Sequence, residues 1–274
     1  MAHAPAVEDT HDLTRAAGRR GVRAFLRARP WLARLGVIVI LFAVWEIAAR
    51  FFVDKMFLAP PSIVFMRLYA VFATPGVPAA LRITFFELTV AFLLSVAIGL
   101  GVGLAVGLSR FTHRSFMPVI LLLYGTPQIT ILPLFVLYFG IGPASKIAFG
   151  VSHGMFPIIV TVIAGVQNIK PILLTSAKSM GASRWQIFRW VIFPHMVPSF
   201  FTGMRLAMSA VLLGVLLAEL YGSSVGIGYF TTLFTQSFDP TRLLGLVSVL
   251  AAMAIALNEL ARRAEMRFSR WRSA

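Results

Sequence analysis

Apolar residues fall in six long runs, and the segments between these runs hold most of the charged side chains. A helix needs roughly 20 apolar residues to cross the hydrocarbon core of a bilayer. Runs of this kind lie at about 35–52, 85–108, 116–138, 147–166, 200–221 and 243–260. One such run also fits a buried helix of a soluble core, but six in one chain fit that reading poorly. The pattern therefore predicts an all-α integral membrane protein with six transmembrane helices.

Composition supports the membrane assignment. Hydrophobic residues make up 58% of the 274 residues and charged residues 13%, whereas soluble domains carry about 25% charged residues. Lys and Arg number 25 against 10 Asp and Glu, which gives a formal net charge of +15. A basic excess is typical of nucleic-acid binding, but also of cations at the ends of membrane helices. The absence of cysteine excludes disulfides and thiolate metal sites.

The positions of the basic residues decide between these two interpretations. With six spans, both termini lie on the same side of the membrane. That side receives 18 of the 25 basic residues, the other side receives six, and Arg205 lies inside the fifth run. The positive-inside rule therefore predicts that both termini are cytoplasmic. Because topology accounts for the basic excess, we expect no nucleic-acid partner.

The same reasoning divides the chain into three parts. Residues 1–34 are predicted to be a basic cytoplasmic arm that lies on anionic lipid, and residues 263–274 a basic cytoplasmic tail. Residues 35–262 form the six-helix transmembrane domain. The arm is not a secretory signal, because the apolar run after it is too long and no A-x-A site closes that run.

Two segments between the runs are long enough to be structured. In the first, Pro60 and Pro61 could start a short helix that runs through Phe72 along the outer membrane face, and 74–76 (Thr-Pro-Gly) would stop it. A plain surface loop is the alternative for this segment.

The second segment, 167–198, is a predicted cytoplasmic loop with a helix, a glycine turn and another helix. Pro171 suits a first helical turn, Gly181 a left-handed C-cap and Ser183 an N-cap, while Pro194 is expected to end the second helix. Apolar residues recur at helical spacing in both helices. They could dock in a groove of a partner or pack on the bundle, and the spacing leaves both possibilities open.

At this loop the sequence resembles the permease subunits of binding-protein-dependent ABC importers. Their cytoplasmic signature is Glu-Ala-Ala, three residues, Gly, nine residues and Ile-x-Leu-Pro. The matching residues are 175–177 (Thr-Ser-Ala), Gly181 and 191–194 (Val-Ile-Phe-Pro), and the spacing is kept in full. Thr175 replaces the acidic residue, which weakens any expectation of a salt bridge to the ATPase from that position.

The resemblance covers most of the chain, and the sequence is most similar in pattern to the subgroup of permeases for nitrate, sulfonates and taurine. It extends to the segments 58–64 (LAPPSIV), 126–146 and 181–207. It also includes 218–230 (AELYGSSVGIGYF), with Glu219 and the Gly226-x-Gly228-Tyr229 pattern. Agreement at several separated segments is more specific than agreement at one loop.

The resemblance implies the type I importer permease fold in a bacterial inner membrane. Two copies, expected to be a homodimer, would enclose one translocation path. Two cytoplasmic ATPase subunits would bind from below, and a periplasmic binding protein would deliver the solute. The implied solute is a small anion such as a sulfonate, taurine, nitrate or bicarbonate. The alternative is a vitamin precursor or another heterocycle.

The resemblance also implies a set of residues that couple the loop to the ATPase, in a coupling helix at about 172–180. They are Thr175, Ser176, Ala177, Lys178, Met180, Gly181, Ala182 and Pro194. The chain has no Gly-x4-Gly-Lys-Ser/Thr phosphate loop, so it is expected to be a transport subunit and not an enzyme. We expect it to bind no cofactor, and ATP and Mg would belong to the partner ATPase.

The third run supplies candidates for the translocation path. Pro127 and Pro133 should kink it, and irregular backbone at membrane depth is tolerated where it is buried or lines a cavity. The third run is therefore predicted to line the path with the fifth run opposite, although a kink that only packs is the alternative. The candidate residues are Tyr124, Thr126, Gln128, Thr130, Arg205 and Glu219.

Several charged residues have simpler interpretations. Arg205 could snorkel to headgroups, and Glu219 could order the outer loop by pairing or capping. Glu46 and Glu87 are expected to be structural. His153 and His195 belong to no His/Asp/Glu cluster with ligand spacing, so no metal site is expected.

Two other functional classes remain as competitors. A stand-alone secondary transporter would need charged midplane sites and usually an internal repeat, and the sequence shows no repeat. An intramembrane enzyme would need a nucleophile–base pair or a metal pair, and the sequence offers neither.

Overall fold

The computed structural model describes residues 30–269, and every regular element in that range is a helix. The predicted basic arm up to residue 29 and the tail from residue 270 lie outside the described residues. We number the α-helices in chain order. They are α1 (Pro30–Phe51), α2 (Pro61–Met66), α3 (Leu68–Ala73), α4 (Val77–Gly107), α5 (Arg110–Gly125), α6 (Leu132–Phe139), α7 (Pro143–Gln167), α8 (Pro171–Ser179), α9 (Arg184–Ile187), α10 (Phe193–Gly222), α11 (Ile227–Gln236) and α12 (Pro240–Ser269).

Within residues 30–269, five helical segments are long and apolar enough to cross a membrane, and the bent segment 110–139 makes a sixth span if it is counted as one. The all-α membrane architecture predicted from the sequence is therefore confirmed. The second span begins at Val77, well before residue 85, because Gly76 (φ 90°) turns the chain and Pro78 occupies the first helical turn.

The described part of the chain divides into two units at Met66. In the first unit, α1 leads into α2 through a polar contact. The Glu46 carboxylate accepts hydrogen bonds from the Ser62 backbone N–H (3.0 Å) and hydroxyl (2.7 Å), and it pairs with Arg50 (2.5 Å). Glu46 therefore caps the first turn of α2, in agreement with its expected structural role. The apolar side chains of α1 are largely exposed, as on a lipid-facing helix.

In the second unit, α7 is the central helix and packs along both α4 and α10. Small residues let the backbones approach closely: a Cβ at Gly99 or Gly103 would lie within 3.0 Å of Ile158 or Val162. Gly154 makes a similar approach to Val211 on α10. The core of this unit is therefore a three-helix stack of α4, α7 and α10.

The two ends of this stack can be defined by hydrogen bonds. At one end, the Gln167 side chain of α7 donates to the Gly107 carbonyl at the end of α4 (2.7 Å). We call this the Gly107 end. At the other, α4 and α7 begin and α10 ends beside Glu219, and we call this the Glu219 end.

Pro194 does not end the helix that precedes it, so this prediction was wrong. The chain continues from α9 through a π-helical segment, Phe188–Ile192, into α10, and 184–222 forms one helix of 39 residues. A proline in a regular α-helix lacks an N–H donor and collides with the carbonyl four residues earlier. The wider π turn just before Pro194 provides the space that the ring needs.

The two short segments agree more closely with prediction. The helix expected at 61–72 is present as α2 and α3, with a break at Arg67, and it ends at Thr74. The glycine turn between α8 and α9 is also confirmed, since Gly181 has φ 75°. Helix α11 was not predicted.

Candidate functional site

A lysine and a glutamate form an ion pair inside the helical stack, at the Glu219 end. Lys146 in the first turn of α7 places its Nζ 2.5 Å from Oε1 of Glu87 on α4. The two side chains are only 1% and 0% exposed. Lys146 Nζ also donates to the carbonyl of Val225, after α10, at 3.5 Å. This lysine therefore ties two spans to the segment that leads into α11.

Glu219 lies in the same buried region and joins α10 to α4 and α11. Its carboxylate accepts a hydrogen bond from the Thr84 hydroxyl (2.6 Å) and another from the Gly228 backbone N–H (2.8 Å). The Thr84 hydroxyl in turn accepts from the Ile227 N–H at 3.0 Å. Glu219 and Thr84 together therefore bind N–H groups of the first turn of α11, which agrees with the capping role considered from the sequence.

The approach of the chain to Glu219 requires glycine. Gly226 has φ 108°, and a Cβ there would overlap the Glu219 carboxylate. A Cβ on Gly228 would lie 2.9 Å from the Leu216 carbonyl and would also meet Glu219. The Gly-x-Gly pattern in this segment thus exists because a carboxylate lies directly beneath the backbone.

We name Thr84, Glu87, Lys146 and Glu219 the outer cluster. All four side chains are buried. Charges in this environment persist only when they are paired and hydrogen-bonded, because each loses its hydration. The cluster therefore connects three spans and α11 by contacts that depend on one another. A cavity of about 500 Å³ lies beside it, lined in part by Arg82, Glu87 and Val225.

The third span is broken at the position that the prolines indicated. Helix α5 ends at Gly125, and after Thr126 and Pro127 the chain forms a short 3₁₀ helix, Gln128–Ile131, that leads into α6. The two halves meet at 85°. The hydroxyls of Thr126 and Thr130 donate to the carbonyls of Leu122 and Pro127, so both are satisfied locally.

One of the candidate path residues, Gln128, lies beside a polar side chain of the central helix α7. The Gln128 Oε1 atom lies 3.3 Å from the Ser152 hydroxyl on α7. His153 is adjacent, with its Nδ1 3.4 Å from that hydroxyl and 3.0 Å from the Phe149 carbonyl. We name Gln128, Ser152 and His153 the bend cluster.

The other candidates lie apart from the bend cluster in their contacts. The Tyr124 ring stacks on Phe156 at a centroid distance of 5.8 Å. Arg205 forms an ion pair with Glu265 of α12 at 3.2 Å. Glu219 belongs to the buried outer cluster. Gln128, Tyr124, Arg205 and Glu219 thus have four separate sets of contacts.

At the Gly107 end, α8 and α9 form a helical hairpin. The Ala182 N–H donates to the Ala177 carbonyl (3.1 Å) and the Gly181 N–H to the Lys178 carbonyl (2.9 Å), so the glycine turn closes α8. Ser183 and Gln186 form a capping box that starts α9, with bonds of 3.3 and 2.7 Å. This local chemistry holds the hairpin in one conformation.

The hairpin is largely exposed, and its largest apolar side chains are not covered by the described chain. No residue of α8, α9 or the π segment is buried. Met180 is 86% exposed, Trp185 65% and Trp190 72%. Within the described chain these side chains therefore do not pack on the bundle. Their exposure is compatible with the second possibility considered from the sequence, which is docking in a groove of a partner protein.

Comparison with known families decides what kind of protein carries this architecture. Residues 95–271 match the family described as "Binding-protein-dependent transport system inner membrane component". The chain belongs to this family. The match includes the bend cluster residues on α7, the hairpin and Glu219. The chain is therefore an ABC importer permease, as its resemblance indicated, and an integral multi-pass membrane protein.

Similar proteins agree with this assignment over most of their length. The taurine transport system permease TauC of Escherichia coli is 28% identical over 243 residues, which cover 86% of this chain and 88% of TauC. The formylaminopyrimidine transport permease ThiX of Halalkalibacterium halodurans is 30% identical, over 79% of this chain and 89% of ThiX.

Solved structures show the same fold. A bacterial ABC transporter involved in import of the acidic polysaccharide alginate aligns over 90% of this chain and 99% of its own, with a TM-score of 0.62 at 13% identity. The MetNI methionine ABC transporter in an inward-facing conformation aligns over 68% of this chain and 93% of its own, with a TM-score of 0.61 at 18% identity.

Reasoning from the sequence missed the role of two residues. Lys146 is one of the six basic residues that the sequence assigns to the side opposite the termini, and the structure buries it against Glu87. The sequence did contain a signal. Lys146 lies three residues after Pro143, at the start of an apolar run, and two other apolar runs contain the acidic residues Glu87 and Glu219 that could pair with it. Ser152 was not singled out, because a lone serine in a span carries no distinctive pattern.

Proposed function

We propose that this chain is the membrane-spanning subunit of an ATP-driven importer, working as a homodimer with two ATPase subunits and a periplasmic binding protein. The observation that carries the proposal is the α8–α9 hairpin, which presents uncovered apolar side chains in a family of binding-protein-dependent permeases. A short amphipathic helix with such a face fits a groove on a partner protein.

In this importer the Gly107 end would face the cytoplasm. Lys170, Lys178, Arg184 and Arg189 lie at this end, in and beside the hairpin. The positive-inside rule places such a basic loop on the cytoplasmic side, where ATP is available. The ATPase, with its ATP and Mg, would then contact the proposed coupling residues from Thr175 to Ala182, and both chain termini would lie on the same side.

The proposed solute is a small anion such as a sulfonate, taurine, nitrate or bicarbonate. Support comes from relatives named for related solutes, including TauC and a putative aliphatic sulfonates permease of Bacillus subtilis that is 25% identical. A vitamin-precursor heterocycle is the second candidate. It is favoured by ThiX, a permease named for formylaminopyrimidine that is 30% identical to this chain.

Association and energy coupling test the proposed function directly. The chain is expressed together with its candidate ATPase and binding protein, purified in detergent and reconstituted in vesicles. The ATPase should be retained through purification, and uptake should require ATP and be blocked by vanadate. Uptake that is insensitive to vanadate but depends on an imposed ion gradient would indicate a secondary transporter and contradict the proposal.

A further inference from the structure

The bend cluster places three polar side chains where the broken third span meets α7. Ser152 is buried, whereas Gln128 and His153 on either side of it are only half-buried. His153 also packs edge-on against Phe149, with ring centroids 4.5 Å apart, and Gly214 on α10 leaves space for its ring, since a Cβ there would lie 3.0 Å from the imidazole. The ring is therefore held in place by two spans.

The contacts of His153 determine which ring nitrogen carries hydrogen. Nδ1 lies 3.0 Å from the Phe149 carbonyl, and a carbonyl oxygen can only accept. Nδ1 must therefore be the N–H nitrogen. In the neutral imidazole Nε2 is then an acceptor. Among the described hydrogen bonds and ion pairs, none involves Nε2 and none joins His153 to a carboxylate.

The same accounting applies to Ser152 and Gln128. The Ser152 hydroxyl lies 2.7 Å from the Phe149 carbonyl and 3.3 Å from the Gln128 amide, so its single hydrogen belongs to the shorter contact. Gln128 Oε1, the amide atom beside this hydroxyl, therefore receives no hydrogen from it and can still accept one. The bend cluster thus offers two acceptors without partners, on two half-buried side chains.

Building on the proposed function, we propose that Gln128 and His153 form a subsite of the translocation path that accepts hydrogen bonds from an N–H group of the solute. An amino or amide N–H supplies the donor that this pair lacks. Nitrate and a simple alkanesulfonate offer acceptors only. The solute class is therefore an anion or heterocycle that carries an N–H group, such as an aminosulfonate or an aminopyrimidine.

Matched solutes test this subsite. Taurine and ethanesulfonate differ only in the amino group, and formylaminopyrimidine and nitrate extend the set. Uptake of each is measured with the complete importer and wild-type permease, then with His153→Leu, Gln128→Leu and His153→Gln. We expect uptake of the N–H solute to fall about tenfold in both leucine variants, the effect of one lost hydrogen bond. His153→Gln keeps an acceptor and should retain most uptake.

Controls separate the subsite from general damage. His113→Leu changes a half-buried histidine of the same broken span and should leave uptake near the wild-type level. All variants are compared for thermal midpoint and ATPase retention. Any uptake of ethanesulfonate or nitrate should change little in the leucine variants.

Three results would overturn the subsite. The first is an equal loss of taurine and ethanesulfonate uptake in the leucine variants. The second is that the wild-type importer takes up nitrate or ethanesulfonate but neither of the N–H solutes. The third is that it takes up none of the four solutes. Failure of the wild-type chain to retain an ATPase would instead contradict the proposed function itself, so the two failures are distinguishable.

Discussion

The outer cluster and the α8–α9 hairpin distribute polar and apolar groups in opposite ways. At the Glu219 end, two carboxylates and an ammonium group are buried among apolar spans. In the hairpin, Met180 and Trp185 are exposed although both are large and apolar. Buried charge therefore organises the fold of this chain, while the hairpin carries apolar surface that the described chain does not cover.

The two regions should therefore respond to mutation in opposite ways. Changes in the outer cluster should lower the stability of the permease itself. Changes at the exposed apolar side chains of the hairpin should leave stability unchanged and weaken assembly.

Lys146→Met should be the most damaging single change. It leaves Glu87 buried without its ion-pair partner, and breaking a buried pair costs about 3–5 kcal/mol. The expected result is a large fall in the thermal midpoint of the detergent-solubilised permease, followed by fluorescence or by size-exclusion chromatography after heating.

Two companion variants sharpen this test. Adding Glu87→Gln to Lys146→Met removes the orphaned charge and should recover much of the lost stability. Arg242→Met breaks the exposed pair with Asp239 (3.5 Å), which is worth about 0–1 kcal/mol. If Lys146→Met and Arg242→Met were equally mild, the buried cluster would not stabilise the fold.

Gly226→Ala should have an intermediate effect. The alanine must adopt φ near 108° and its Cβ meets the Glu219 carboxylate, so we expect a loss of about 1–3 kcal/mol. Gly101→Ala is the matched control, because no atom lies within 4 Å of a Cβ at that helical position. A thermal midpoint for Gly226→Ala equal to that of Gly101→Ala would show that Glu219 tolerates displacement.

Gly181→Asp should have a smaller effect on stability and a larger one on coupling. Gly181 also has a left-handed φ of 75°, but the space around its Cβ is open. Asp adopts this conformation at a cost of about 1–2 kcal/mol. The variant should remain folded, while ATP hydrolysis by the assembled importer no longer drives uptake. Normal coupling in this variant would remove the turn from the coupling assignment.

Met180→Asp should leave the thermal midpoint unchanged, because its side chain is 86% exposed. Retention of the ATPase during purification should nevertheless fall by about tenfold, since a charge would enter an apolar contact. Met56→Asp, at a loop methionine that is 53% exposed, is the control. Equal ATPase retention in both variants would contradict the docking role of the hairpin.

Local and periodic features were predictable from the sequence. The apolar runs predicted the spans, Pro127 marked the break in the third span, and Gly181 and Ser183 marked the hairpin turn. Each of these depends on residues within a few positions of one another, so a single sequence carries the whole signal.

Features that depend on distant residues were not predictable in the same way. The partner of Lys146 lies on another span, and Glu219 contacts Thr84 across 135 positions of sequence. Helix α11 depends on N–H acceptors supplied by α4 and α10, so its own residues gave no sufficient signal. Pro194 misled because the π segment before it has no recognisable sequence pattern.

The uninterrupted helix from Arg184 to Gly222 has a mechanical consequence. With 39 residues at about 1.5 Å each, it is a rod roughly 58 Å long. Trp185 and Glu219 lie near its opposite ends, and the π segment Phe188–Ile192 and Pro198 both lie toward the Trp185 end. We expect a tilt of the helix at the hairpin to shift its other end as well, which would link the position of the hairpin to that of the outer cluster.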